Sequence, residues 1–191
     1  MKVTMYKDLD SKQKALVDST DHHKKILAAK RGLGLDKLIN DHDCYIRALV
    51  ASHGYGLDVL VNDESAVVRR DVANNGYGLD VLINDDDENV RRIVARNGYD
   101  LDKLMHDKSF RVRYEVAKQG YGLDILVNDE SPAVREAVAE QGYALDVLIN
   151  DLDWTVRKQV ARQGYELEKL INDENENVRS AARYVLENGT Y

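Results

Sequence analysis

The chain has 191 residues, 34 acidic and 27 basic, for a formal net charge of −7, with one proline and one cysteine. No apolar run approaches the ~20 residues that cross a bilayer, and the N-terminal MKVTMYKDLD lacks a signal-peptide core. Cys44 stands alone, which excludes an intrachain disulfide and a cysteine-rich metal cage and fits a reducing, cytoplasmic location.

In chain order, residues 10–31 read as a degenerate repeat, because Leu16, Val17, Asp21 and Lys25 fall where Leu38, Ile39, Asp43 and Arg47 stand 22 residues later. From Gly32 the sequence repeats every 22 residues, giving seven units over 32–185. GYGLDVL at 54–60 returns letter for letter at 76–82, and Gly-Tyr pairs follow at 98, 120, 142 and 164. Positions are numbered from the glycine of each unit. Positions 4, 7 and 8 are apolar in all seven units, a spacing that predicts a short helix of about two turns. Positions 15, 19 and 20 mark the buried face of a second helix running from position 13 to about 22.

Position 12 reads Asp43, Ser65, Asp87, Ser109, Ser131, Asp153 and Asn175, all residues that cap a helix N-terminus. Pro132 therefore falls at the first helical position, where a missing N–H costs nothing. The following glycine, such as Gly142, is predicted to end the helix in the left-handed conformation. A unit this small cannot bury enough apolar surface alone, so units must stack. The predicted organisation is one elongated domain: an N-terminal helical cap over 1–31, the seven repeats over 32–185, and the end of a capping helix with a tail over 186–191. Polar stretches at both ends, SKQK, DHHKK and VRSAARYVLENG, read as caps of a finished stack.

Position 10 is aspartate seven times, from Asp41 to Asp173, and position 16 is arginine seven times, from Arg47 to Arg179. A forked guanidinium bridging carboxylates between helices is expected. Sevenfold recurrence marks this ladder as architecture rather than catalysis.

The stretches DESPAVREAVAEQG and DDDENVRRIVARNG resemble HEAT-like repeats, with an acidic residue, Val-Arg, then a small or apolar residue in the second helix. The short period looks closer to the leucine-rich repeat variant family. The resemblance covers about four fifths of the chain. It implies an all-α fold, a right-handed α-solenoid of two-helix repeats, used as a binding surface. Gly-Tyr stands where that family commonly has a proline, and its cysteine-rich iron–sulfur segment has no counterpart here, so no cofactor is implied.

Position 5 carries an acid in every unit, from Asp36 to Glu168, in the first turn of the short helix. The solvent side of the second helices is predicted at positions 14, 17, 18 and 21. Between residues 67 and 162 it carries Arg70, Arg92, Arg96, Arg111, Lys118, Lys158 and Arg162 against Asp71, Glu115, Glu136 and Glu140. Tyr45 and Tyr114 are expected to be exposed there, and Phe110 and Trp154 stand at position 13. Aromatics and arginines anchor interfaces, and second helices commonly line the concave side of stacked-helix solenoids, so these residues form the predicted binding site. The position-2 tyrosines, Tyr55 to Tyr165, are expected to pack between units with the hydroxyl at the surface.

No nucleophile elbow, phosphate loop or HExxH helix is present. DDD at 85–87 and DLD at 151–153 lack the glycine and closing glutamate of an EF-hand, and His22, His23, His42 and Cys44 lack metal-ligand spacing. The expected function is a non-enzymatic, monomeric scaffold for another protein, without metal, cofactor or membrane. The alternatives are that the arginine-rich face grips a nucleic-acid backbone, or that the acidic edge mimics one.

Overall fold

At the head of each long helix the backbone is extended at position 12, as at Asp43 (φ −83°, ψ 115°), and turns helical one residue later. The computed structural model describes residues 3–189. The carboxylate of Asp43 accepts from the Tyr45 N–H at 2.8 Å, and Asp153 accepts from Thr155 at 2.8 Å. Ser65 and Ser131 differ from expectation: both take the cap geometry, but neither hydroxyl bonds to the helix. Instead the position-10 carboxylate holds the turn, Asp63 accepting from the Ser65 N–H and Asp129 from the Ser131 N–H, each at 2.8 Å. Pro132 opens its helix as predicted. At the other end Gly142 (φ 72°) is left-handed. Its N–H donates to Ala139 at 2.9 Å and that of Tyr143 to Val138 at 3.4 Å, the paired bonds of a Schellman stop.

The described chain forms two compact units, Met1–Tyr99 and Asp100–Tyr191. The first contains a 3-10 turn at Tyr6–Asp8, then α1 (Ser11–Val17), α2 (His22–Lys30), α3 (Leu35–Leu38), α4 (Cys44–Ser52), α5 (Leu57–Leu60), α6 (Ala66–Asn74), α7 (Leu79–Leu82) and α8 (Glu88–Arg96). The second contains α9 (Leu101–Leu104), α10 (Phe110–Lys118), α11 (Leu123–Leu126), α12 (Pro132–Glu140), α13 (Leu145–Leu148), α14 (Trp154–Arg162), α15 (Leu167–Leu170) and α16 (Glu176–Asn188). Within each unit every long helix packs on the long helix of the next repeat, as α4 on α6 and α12 on α14. All described residues are helix, turn or coil, apart from one backbone bridge between Thr4 and Leu33.

The core follows the repeat. Position 7 is a leucine at most 2% exposed in every repeat, from Leu38 to Leu170. Position 15 and the alanines at position 20, such as Val134 and Ala139, are fully buried. Small alanines let consecutive long helices approach closely. The short helix is four residues rather than about two turns. Position 3 cuts it short, because its backbone is left-handed in every repeat, as at Gly56, Gly78 and Gly122. Asp100, Ala144 and Glu166 take the same conformation without being glycine. A left-handed residue with a Cβ costs about 1–2 kcal/mol, partly offset by the entropy that glycine loses on folding. Ala144→Gly should therefore stabilise the chain by about 0.5–1 kcal/mol, read as a rise of a few degrees in the thermal midpoint.

The ladder runs between repeats. Arg47 donates through Nε and Nη2 to both carboxylate oxygens of Asp63, in the next repeat, at 2.7 and 2.8 Å. Its Nη1 donates to the Asp41 carbonyl of its own repeat at 2.8 Å. Arg69–Asp85, Arg113–Asp129, Arg135–Asp151 and Arg157–Asp173 repeat the Nε contact at 2.6–2.7 Å. The degenerate first copy joins through Lys25, 2.6 Å from Asp41. A second rung lies at position 22, where Asn75 donates back to the Ala51 carbonyl at 3.0 Å and Gln163 to that of Glu140 at 3.0 Å.

Candidate protein-binding surface

The first turn of each long helix projects position 13 outward, because positions 15, 19 and 20 face the core. In the second unit Phe110 is 39% and Trp154 37% exposed. Each carries a cation. The Arg111 guanidinium lies 4.9 Å from the Phe110 ring centre, and the Lys158 ammonium 5.7 Å from that of Trp154. Such pairs hold an aromatic face and a charge ready at one place on the surface. Pro132 stands at the same position in the repeat between them.

The other predicted residues are placed less uniformly. Lys118 and Arg162 are exposed near the C-termini of α10 and α14. Lys118 is committed, its ammonium 2.9 and 3.0 Å from the two Glu140 carboxylate oxygens. That hydrogen bond raises the Lys118 pKa, against a smaller opposing effect of burial. Tyr114 is half-buried rather than exposed. Position 18 also departs from the prediction, with Ile93 and Ala137 buried and Asp71 and Glu115 half-buried. A long helix here meets a long helix on each side, so its apolar arc is wider than one face. Positions 14 and 21 are left as the more exposed ones. In the first unit Tyr45 and Arg96 are exposed. Arg70 and Arg92 are half-buried, and Arg70 Nε lies 4.0 Å from the neighbouring Asp71 carboxylate.

Electrostatically the surface is mixed rather than basic. Burial pushes the half-buried Glu136 carboxyl up; Arg162 and Lys158 pull it down, while Glu140 and Asp153 add to the rise. The acids Glu136 and Glu140 lie on α12 and the bases Lys158 and Arg162 on α14. Tyr121 reaches the preceding repeat through its hydroxyl, which donates to Asp102 at 2.9 Å, but Tyr77, Tyr99, Tyr121 and Tyr143 are 38–42% exposed rather than packed between repeats. His22 is 2.8 Å from the Asp43 carboxylate. Among the described residues no group of three or more His, Cys, Asp or Glu is placed to hold a metal.

Sequence reasoning missed Leu152, which is 97% exposed at position 11. The signal was available: the other repeats carry histidine, glutamate, aspartate or lysine there. It also missed the exposed Val59, Val81, Ile125 and Val147 at position 6. No model of a known protein family matches the chain, and no curated protein matches its sequence. The fold and surface define an all-α protein of short helical repeats, about 22 residues each, clamped by recurring Arg–Asp bridges. Among the described residues no helix is long and apolar enough to cross a membrane.

Proposed function

We propose that the protein is a non-enzymatic scaffold of the HEAT-like or leucine-rich repeat variant kind, holding another protein on the solvent-facing side of its long helices, the side read from the sequence as concave. The observation that carries this reading is the pair of ring-and-cation sites, Phe110 with Arg111 and Trp154 with Lys158. Each is a rigid aromatic beside a charge, the composition of an interface anchor. The repeat frame explains neither ring, since alanine, proline, cysteine and glutamate occupy position 13 elsewhere. A cytoplasmic monomer is the corresponding cellular form.

The test is affinity purification from the native cell with quantitative mass spectrometry, comparing the native chain with Phe110→Ala plus Trp154→Ala. Both side chains are partly exposed, so the circular-dichroism melt should hold while the co-purifying protein drops at least tenfold. Undiminished recovery would reject this face. A low-salt gel shift with duplex DNA or RNA that Arg96→Glu plus Arg162→Glu abolishes would replace the protein partner with a nucleic acid.

A further inference from the structure

The last long helix carries the ladder's donor without its acceptor. Elsewhere in the second unit the position-16 arginine is anchored by its own repeat and grips the next repeat with the rest of its fork. Arg135 Nη1 donates to the Asp129 carbonyl at 2.7 Å, while Nε and Nη2 donate to the two Asp151 carboxylate oxygens at 2.6 and 2.8 Å. Arg157 does the same, with the Asp151 carbonyl at 2.8 Å and the Asp173 carboxylate at 2.7 and 3.0 Å. In α16 the anchor is complete, Arg179 Nη1 donating to the Asp173 and Glu174 carbonyls, each at 2.8 Å. Its Nε and Nη2 meet no acceptor among the described residues. The half-buried guanidinium is held as in the other repeats, with the carboxylate-gripping edge open.

Position 20 adds to that edge. It is a fully buried alanine in the six preceding repeats, from Ala51 to Ala161. In α16 it is Arg183, which is exposed. Positions 16 and 20 lie one turn apart on the same helix face. The small residue on which the next long helix lies elsewhere is thus replaced by a second cation. Glu187, a further turn on, is exposed and forms an ion pair with neither arginine.

The rungs within the unit define what such an edge takes. Each gripped aspartate belongs to a turn: Asp129 also accepts from the Ser131 N–H and Asp173 from the Asn175 N–H, each at 2.8 Å. The glutamate after it adds a second contact, Glu130 to Arg113 Nη2 and Glu174 to Arg157 Nη2, each at 3.1 Å. The ligand of the fork is an Asp-Glu-Ser or Asp-Glu-Asn turn.

We infer that the Arg179–Arg183 edge of α16 binds an Asp-Glu turn of a partner protein, the aspartate in the Arg179 fork and the glutamate against Arg183. A planar fork takes a carboxylate through two parallel bonds. The carbonyl anchor holds Arg179 in place beforehand, so less ordering is lost on binding. A second copy of the chain offers no such turn at its N-terminal end. Asp41 is bonded to Lys25, and the degenerate first copy carries Ser19 at position 10. Asp18 beside it is taken by Lys37 and Tyr6. The edge lies on α16, outside the ring-and-cation sites of α10 and α14, and needs neither of them.

The probe is a terminally blocked peptide copying residues 127–133, Val-Asn-Asp-Glu-Ser-Pro-Ala, set against Val-Asn-Asn-Gln-Ser-Pro-Ala. Each is titrated into the isotope-labelled full chain while the arginine Nε–H resonances are followed by NMR. The Arg179 signal, assigned by its absence from Arg179→Lys, should move and saturate with the acidic peptide, which should bind about tenfold tighter than the amide peptide. Arg179→Lys loses the fork and should weaken the acidic peptide about tenfold. Arg183→Ala, which restores the residue of the other repeats at an exposed place, should weaken it about threefold with an unchanged melt. Equal affinity of the two peptides, or acidic-peptide binding that both variants retain, overturns the inference. Saturation by inorganic phosphate at lower concentration than by the peptide also overturns it, assigning the two arginines to a phosphate. Concentration-dependent dimers in sedimentation velocity that Arg183→Ala abolishes overturn it as well, assigning the edge to a second copy.

Discussion

Asp63→Ala is expected to lower the unfolding free energy by about 3–5 kcal/mol, a collapse of the thermal midpoint from one surface-distant residue. The cost comes from Arg47 rather than from the lost carboxylate. Arg47 is 7% exposed; its Nε would lose its partner in a place water reaches poorly, and its Nη2 would keep only the exposed Glu64 carboxylate, at 3.3 Å. Replacing both members by apolar groups, Arg47→Met with Asp63→Leu, should cost far less than the single change, because no charge is left stranded. Guanidinium melts of the three variants in a double-mutant cycle measure this.

The same bridges set an acid limit. Burial alone would raise the Asp63 carboxyl, but the Arg47 hydrogen bond, the Ser65 N–H and the charges of Arg47 and Arg69 outweigh it and hold it below the usual aspartate range. Asp85 is lowered against burial in the same way, by Arg69 and the Asp87 N–H. For Asp173 the Arg157 hydrogen bond is itself the largest effect. A carboxyl depressed in the folded state contributes stability that is fully present above its unfolded value of ~3.9. That contribution is lost as pH falls from there through the depressed folded value. Midpoints should therefore drop on acidification below about pH 4, and Asp63→Asn should show a shallower drop than the native chain.

Gly78→Ala is the second large effect, expected at about 2–4 kcal/mol. Gly78 has φ 61°, so a Cβ there carries left-handed strain of about 1–2 kcal/mol. That Cβ would also stand 2.5 Å from Val61 Cγ2, in the preceding repeat. Relieving the overlap adds about 1–3 kcal/mol. Val61 is short and 7% exposed, with little room to swing away. Removing its methyls should therefore couple to the glycine: Val61→Ala plus Gly78→Ala should cost less than the sum of the single changes, by about 1 kcal/mol. An additive pair in thermal melts would show that the strain is purely backbone. Ala144, left-handed at the same position, shows that the conformation itself tolerates a side chain.

Much of this architecture was written in the residue order. The 22-residue period, the cap at position 12, Pro132 at the first helical position and the glycine stop depend on local backbone chemistry, which acts within a few residues. The Asp–Arg ladder was legible as a pair of invariant columns within the chain. Its direction was not: that an arginine such as Arg47 or Arg135 takes its own repeat's carbonyl and the next repeat's carboxylate is a matter of how one helix lies on another.

Tertiary packing decided the rest. Position 18 and Tyr114 were read as solvent-facing from a single helix's periodicity, but a helix flanked by two others hides a wider arc. Position 3 looked like an ordinary glycine of a repeated phrase until its left-handed backbone and the close side chain of the preceding repeat appeared. Leu152 and the position-6 residues passed unremarked because an apolar letter in a sequence is assumed to be buried. By itself the sequence determined the repeat, its helices and their stops, because hydrogen bonding and capping are local. Only the stacked structure decided which side chains reach solvent, because exposure depends on the neighbours that cover a residue.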